Sequence, residues 1–332
     1  MRTLAVLAIL IASLPAAAQN ADTTCRVMPG ARAVPGVGAT VGATFTCRGN
    51  TIGAGYQFNA GGIRVGYVGR YKAFALHAQA VSSEFQWYYG LGNQTAFNND
   101  SGFGDKFYRA RQSYFALNPE WTVRVAPHTS IAFGPDLRYW ETSHLGGFVD
   151  SVRPYGIGPF GTISGLMDAR YATRLLDIDL VGRGVPDAWD ALHAYGTVHA
   201  LATTHIPLSQ ATLVLRVGGE KVWGDAPFQD LAHMSVRGYL PERYTGDASA
   251  FGNAQVEVPV GHAEIFVPLT VGFLVINDVG RVFEPGDRSS EWHDGIGGGV
   301  FFAPANRRRT VSLSLIHGDE GTRLYLGYGR EL

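Results

Sequence analysis

The chain has 332 residues, a formal net charge of −1, 17% charged and 12% aromatic residues, and 43 glycines. A near-neutral balance supplies no field for nucleic acid, which is therefore excluded as a partner. Few charges with many aromatics and glycines suit a barrel whose outer face meets lipid, and fit a soluble enzyme poorly.

Residues 1–18 read as a secretory signal. Arg2 supplies the positive end, Leu4 to Leu14 the apolar core, and Ala16-Ala17-Ala18 the small-residue cleavage site. The mature chain would begin at Gln19 and carries no lipobox cysteine. No later apolar run approaches ~18 residues, so a helical membrane span is excluded. Residues 19–38 read as a short periplasmic segment and 39–332 as the barrel. Cys25 and Cys47 are the two cysteines. In an oxidising compartment an even pair favours one disulfide, two free thiols being the other reading.

The dominant period along the chain is two. Leu176, Ile178 and Leu180 alternate with Asp177 and Asp179, and Val256, Val258 and Val260 with Gln255 and Glu257. Val311, Leu313 and Leu315 alternate with serines and a threonine, and Leu324 and Leu326 with Arg323 and Tyr325. Strands are predicted at 39–47, 51–59, 62–71, 73–84, 106–119, 130–142, 155–170, 173–184, 189–205, 210–222, 254–261, 264–280, 293–303, 309–316 and 321–330. Those are fifteen, and single-chain bacterial barrels have an even number. A sixteenth lies in 26–34, or a boundary near 60–75 is misread. Short turns such as Pro207-Leu208-Ser209 alternate with long loops at 86–104, 224–253 and 284–292. That asymmetry is characteristic of a transmembrane antiparallel β-barrel. The fold expected is all-β, a barrel of sixteen strands with one long loop folded inward.

That loop centres on Ser235 to Asn253, and its length marks it as functional or disordered. Val236-Arg237-Gly238-Tyr239 sets a bulky cation beside a flexible glycine. Docking of Arg237 on an acidic partner inside the barrel is one reading; an ordinary solvated surface loop is the other.

Four pieces together resemble the bacterial surface antigen superfamily of outer-membrane barrels, the BamA/TamA-like group. They are Val236-Arg237-Gly238-Tyr239 with Arg243-Tyr244-Thr245-Gly246-Asp247; Ile276 to Phe283, holding Asp278 and Gly280; Trp292 to Phe302, with Gly295, Gly297, Gly298 and Gly299; and Asp319 to Gly327. The resemblance is strong over 210–332, moderate over 85–209 and poor before 85. It implies that the loop arginine Arg237 meets the strand aspartate Asp278. It also implies a bacterial outer-membrane location and insertion or translocation of polypeptide, across a weak seam between the first and last strands. The partners implied are membrane lipid, a polypeptide client or periplasmic accessory protein, and the barrel-assembly machinery for the chain's own insertion. Residues 19–38 are too few for one of the family's periplasmic POTRA modules, so the expected unit is the barrel domain without them. Gln255-Val256-Glu257 departs from the family's Glu-then-Arg pattern, and Leu332 replaces a terminal aromatic.

Catalytic chemistry finds little support. His193, His199 and His205 are spaced by six residues on one predicted strand, which separates neighbours by ~20 Å, too far for a shared metal. The sequence Gly156-Ile157-Gly158-Pro159-Phe160-Gly161 matches a dinucleotide pattern by letters but leads into no helix. No Gly-x-Ser-x-Gly elbow occurs. The expectation is therefore no enzyme activity and no cofactor, with a plugged or passive pore and a membrane-embedded hydrolase as alternatives. Trp121, Tyr139, Trp140, Trp189, Trp223 and Trp292 fall near predicted strand ends, as interfacial girdles or as packing for loops.

Overall fold

The structure, a computed structural model, describes residues 25–34, 38–95, 107–144, 156–264, 268–304 and 310–328. The predicted signal and its cleavage site lie outside them. Sixteen strands close into one antiparallel barrel. They are β1 (Cys25–Val34), β2 (Gly38–Cys47), β3 (Asn50–Gln57), β4 (Gly62–Tyr71), β5 (Phe74–Trp87), β6 (Arg109–Ala126), β7 (Thr129–His144), β8 (Gly158–Ala172), β9 (Leu176–Val185), β10 (Tyr195–Pro207), β11 (Thr212–Gly224), β14 (Ala248–Glu264), β15 (Pro268–Phe283), β16 (His293–Pro304), β17 (Val311–Gly318) and β18 (Gly321–Tyr328). Two further short strands, β12 (Ala232–His233) and β13 (Thr245–Gly246), pair with each other inside the long loop.

The wall is inside out relative to a soluble sandwich. Val217 is 64% exposed and Val275 59%, while Asp278 across the same sheet is 0% exposed. Along β15 the alternation puts Phe273, Val275 and Val279 outside and Leu274, Ile276 and Asp278 inside. Lipid is the solvent that makes such an outer face favourable, and closure leaves no unpaired edge in hydrocarbon. No helix among the described residues is long and apolar enough to cross a membrane. The crossing is made by strands.

Several boundaries move. The wall begins at Cys25, because β1 pairs with β2 from Cys25↔Cys47 to Val34↔Gly38. The sixteenth strand thus takes the place expected for a periplasmic segment at 19–38, and the barrel starts before residue 39. At that first pair a disulfide joins Cys25 to Cys47. β6 runs to Ala126, well past the predicted end at 119. Pro119 cannot donate to a ladder, and the pairing with β7 skips from Leu117↔Leu137 to Trp121↔Phe133 before it resumes. β14 starts at Ala248, so the last residues of the predicted loop belong to the wall. His193 lies in the β9–β10 connection beside Asp225, and only His199 and His205 are on β10. Trp121, Tyr139, Trp189, Trp223 and Trp292 are exposed, whereas Trp140 is buried against Phe160.

The seam is short. Among the described residues β1 meets β18 at one registered pair, Ala33 with Leu326. β17 and β18, by contrast, pair continuously from Val311↔Tyr328 to Gly318↔Gly321.

Candidate functional site: a loop docked in the lumen

The 225–247 connection between β11 and β14 enters the barrel and packs on its inner wall. Arg237 carries the central contact. Its Nε and Nη2 donate to the two carboxylate oxygens of Asp278, each at 2.7 Å, and its backbone N–H adds a third bond at 3.0 Å. Nη1 donates to Gln255 Oε1 at 2.9 Å. A planar guanidinium matches a carboxylate in this two-pronged way, and a lysine offers only a point charge. Asp278 is wholly buried and Arg237 is 18% exposed. A charge pair removed from water to this degree survives only with its lone pairs satisfied. Here Asp278 accepts three bonds from Arg237.

Backbone geometry explains the glycines. Gly238 has φ +108°, a conformation L side chains rarely adopt, and a Cβ there would lie 3.3 Å from Gly318 N. On the wall, a Cβ at Gly295 would stand 1.9 Å from the Arg237 carbonyl oxygen. Gly280 leaves space for Val236 in the same way, a Cβ there falling 2.6 Å from Val236 Cγ2. The motif and the strand glycines are two halves of one close approach.

Beyond Arg237 the loop grips the final hairpin. Gly238 N donates to Tyr325 Oη at 2.7 Å, Tyr325 Oη donates to the Tyr239 carbonyl at 3.1 Å, and Arg323 Nε donates to the Gly238 carbonyl at 3.0 Å. Tyr239 Oη reaches Asp319 Oδ2 at 2.8 Å, and Arg243 pairs with Glu320. Of the residues held, Arg323 and Tyr325 lie on β18 just before its one registered pair with β1, and Asp319 and Glu320 lie in the turn that precedes it. Arg243 also lies over the Tyr244 ring, 4.4 Å from its centroid. Burial pushes the Tyr244 phenol up to about 12, so it stays neutral at any physiological pH. Glu242 accepts from Gln86 Nε2 at 2.5 Å and from the Trp87 N–H at 3.3 Å. Desolvation holds its carboxyl above the usual glutamate range.

Motif reading located Val236, Arg237, Gly238, Tyr239, Asp278 and Gly280, and the structure brings them together. Motif reading does not reveal the roles of Gln255, Tyr325 or Glu242, because each contact joins the loop to a strand distant in sequence, with no local signature. Among the described residues no cluster of histidine, cysteine and carboxylates could hold a metal ion. The loop leaves a lumen cavity of about 1490 Å³, bordered by Arg237, Glu242 and Met234 on one side and by Thr44, Gly53 and Gly66 on the other.

No family model and no curated protein matches the chain. Solved structures do. A BamA from Haemophilus ducreyi lacking POTRA domains 1–3 aligns with TM-score 0.61 and 12% identity over 92% of this chain and 69% of its own. CdiB from Escherichia coli aligns with TM-score 0.62 and 10% identity, and CdiB from Acinetobacter baumannii with 0.56 and 11%, each over 92% of this chain. This chain spans only 62% and 58% of those two proteins. At such identities the likeness is one of architecture. The chain is a sixteen-stranded barrel with a fold similar to those of BamA and CdiB.

Proposed function

We propose that this barrel sits in the bacterial outer membrane and handles polypeptide, inserting or translocating a client chain at the seam between β1 and β18. The observation that carries the reading is the grip of the loop on Arg323 and Tyr325 of β18. The segment that fills the lumen also holds the strand that closes the barrel. Lifting the loop would free the lumen and slacken the seam in one movement. The motif resemblance over 210–332 supports the same reading, as does the outward apolar wall. Membrane lipid, an unfolded client and an accessory protein that delivers it are the partners this reading requires.

The test is a cysteine pair, Ala33→Cys with Leu326→Cys, in the purified barrel reconstituted in liposomes. Transfer of an unfolded outer-membrane polypeptide into a protease-resistant form is followed with the pair oxidised and reduced, and the wild type is treated identically. Oxidation is expected to suppress transfer several-fold in the variant alone. Equal transfer in both states would sink the seam mechanism. No transfer by the wild type would favour a plugged structural barrel.

A further inference from the structure

We infer that the lumen loop is a strap with two separate locks, and that Asp230, six residues before the arginine motif, is the first along the chain. The strap leaves β11 through a short 3-10 turn, Phe228–Asp230. Asp230 accepts from Tyr195 Oη at 2.6 Å and pairs with Arg183, whose Nη2 also donates to Tyr195 Oη at 2.9 Å. Arg138 Nη1 stands 3.8 Å from the other Asp230 oxygen and is itself held by Asp136 through a 2.6 Å bond. The Arg183 and Asp230 side chains are 4% and 8% exposed. Beside this foot Gln229 Nε2 donates to the Gly156 carbonyl at 2.8 Å, and Phe228 packs on Tyr88 with ring centroids 5.5 Å apart.

The two locks grip different walls. Asp230 is bound by side chains of β7, β9 and β10, whereas Arg237 is bound by β14 and β15 and its neighbours by β16 and β18. β11 lies between the two groups in the barrel order. The β12–β13 ladder joins Ala232 to Gly246 and His233 to Thr245, which ties the stretch between the feet to the returning chain. The signs are opposed as well: an anion of the strap enters a cationic socket at one foot, and a cation enters an anionic socket at the other. No single charged ligand displaces both. Release of one foot leaves the strap across the lumen, and the bore opens in a sustained way only when both are free. This rests on the loop being the movable element of the reading above, and it adds a second requirement for opening.

The experiment is single-channel current from the purified full chain in planar phosphatidylcholine–phosphatidylglycerol bilayers. Asp230→Lys faces Arg183 and Arg138 with a like charge and frees the first foot; Arg237→Ala frees the second. Each alone is expected to give brief partial openings. Together they should raise the open probability at least about ten-fold over the larger single effect, the non-additivity of groups that hold one segment. Arg183→Glu combined with Asp230→Lys restores opposite charges and should return the current towards that of the wild type. The proposal is overturned if Asp230→Lys behaves as the wild type and the combined variant as Arg237→Ala. Should Asp230→Lys fail to give a heat-modifiable barrel, Tyr195→Phe removes only one hydroxyl from the foot. In the Arg237→Ala background it must lengthen openings, and unchanged openings overturn the proposal equally. Currents that follow this pattern without polypeptide transfer would contradict the proposed function and leave the two locks standing.

Discussion

Arg237→Ala is expected to undock the loop while the barrel keeps its strands. The substitution removes the two side-chain bonds that Arg237 gives the Asp278 carboxylate, and leaves only the backbone donor, available to a loop that stays in place. Stripping one partner from a buried ion pair costs about 3–5 kcal/mol, which corresponds to roughly a hundred-fold or greater rise in the undocked population. Limited trypsin digestion of the folded protein reads that population through cleavage at Arg243, whose side chain is 4% exposed when docked. Heat-modifiable migration reports the wall and should persist. Arg237→Lys is expected to recover only part of the protection, since an ammonium cannot bridge both carboxylate oxygens. Wild-type protection in Arg237→Ala would show that the ion pair does not hold the loop.

Gly295→Ala should loosen the same loop from the opposite side. The added carbon would sit 1.9 Å from the Arg237 carbonyl oxygen and 3.0 Å from its carbon. Neither atom is the end of a flexible side chain, so the loop backbone or the strand must shift. Overpacking of this kind costs about 1–3 kcal/mol. Gly66→Ala is the matched control, being a glycine of the same lumen wall whose Cβ would meet nothing within 4 Å. It should leave digestion unchanged or stabilise the strand slightly, because alanine loses less backbone freedom on folding than glycine. The two glycines should therefore differ. Equal digestion rates would mean that the approach of loop to wall is not tight.

Much of the wall was legible because its rule is simple. Lipid on one side and a polar lumen on the other impose a period of two, and Val256-Glu257-Val258 or Leu313-Ser314-Leu315 display it directly. Where the rule is broken, the reading failed for identifiable reasons. Ala248 to Asn253 is strand, yet its inward residues Ser249, Phe251 and Asn253 are buried beneath the loop, so no apolar-polar contrast remains. At Pro119 the strand continues to Ala126 while the chain merely skips part of a ladder. In Cys25 to Val34 a proline, a glycine and two arginines blur the alternation, and there the need for an even strand number, which pointed to 26–34 as one of two places, found the strand that completes the barrel.

The loop site divides in the same way. Val236-Arg237-Gly238-Tyr239 and Asp278 were visible through a resemblance, which also implied their pairing. Asp230, Arg183 and Tyr195 were not, since an aspartate 47 residues from its arginine leaves no trace in local pattern. The grip on Tyr325 and Arg323 was equally hidden. What looked like a terminal hairpin of the family is also half of the loop's receptor, and this contact links lumen to seam.

The central claim is the inverted wall: apolar side chains against hydrocarbon, polar ones around water. Fluorescent labels on Val275→Cys, 59% exposed on the outer face, and on Gln79→Cys, which borders the lumen cavity, test it in liposomes. Spin-labelled lipid should quench the first and spare the second, and aqueous iodide should do the reverse. Quenching of the Val275 label by iodide with no effect of the lipid quencher would contradict the account at its base.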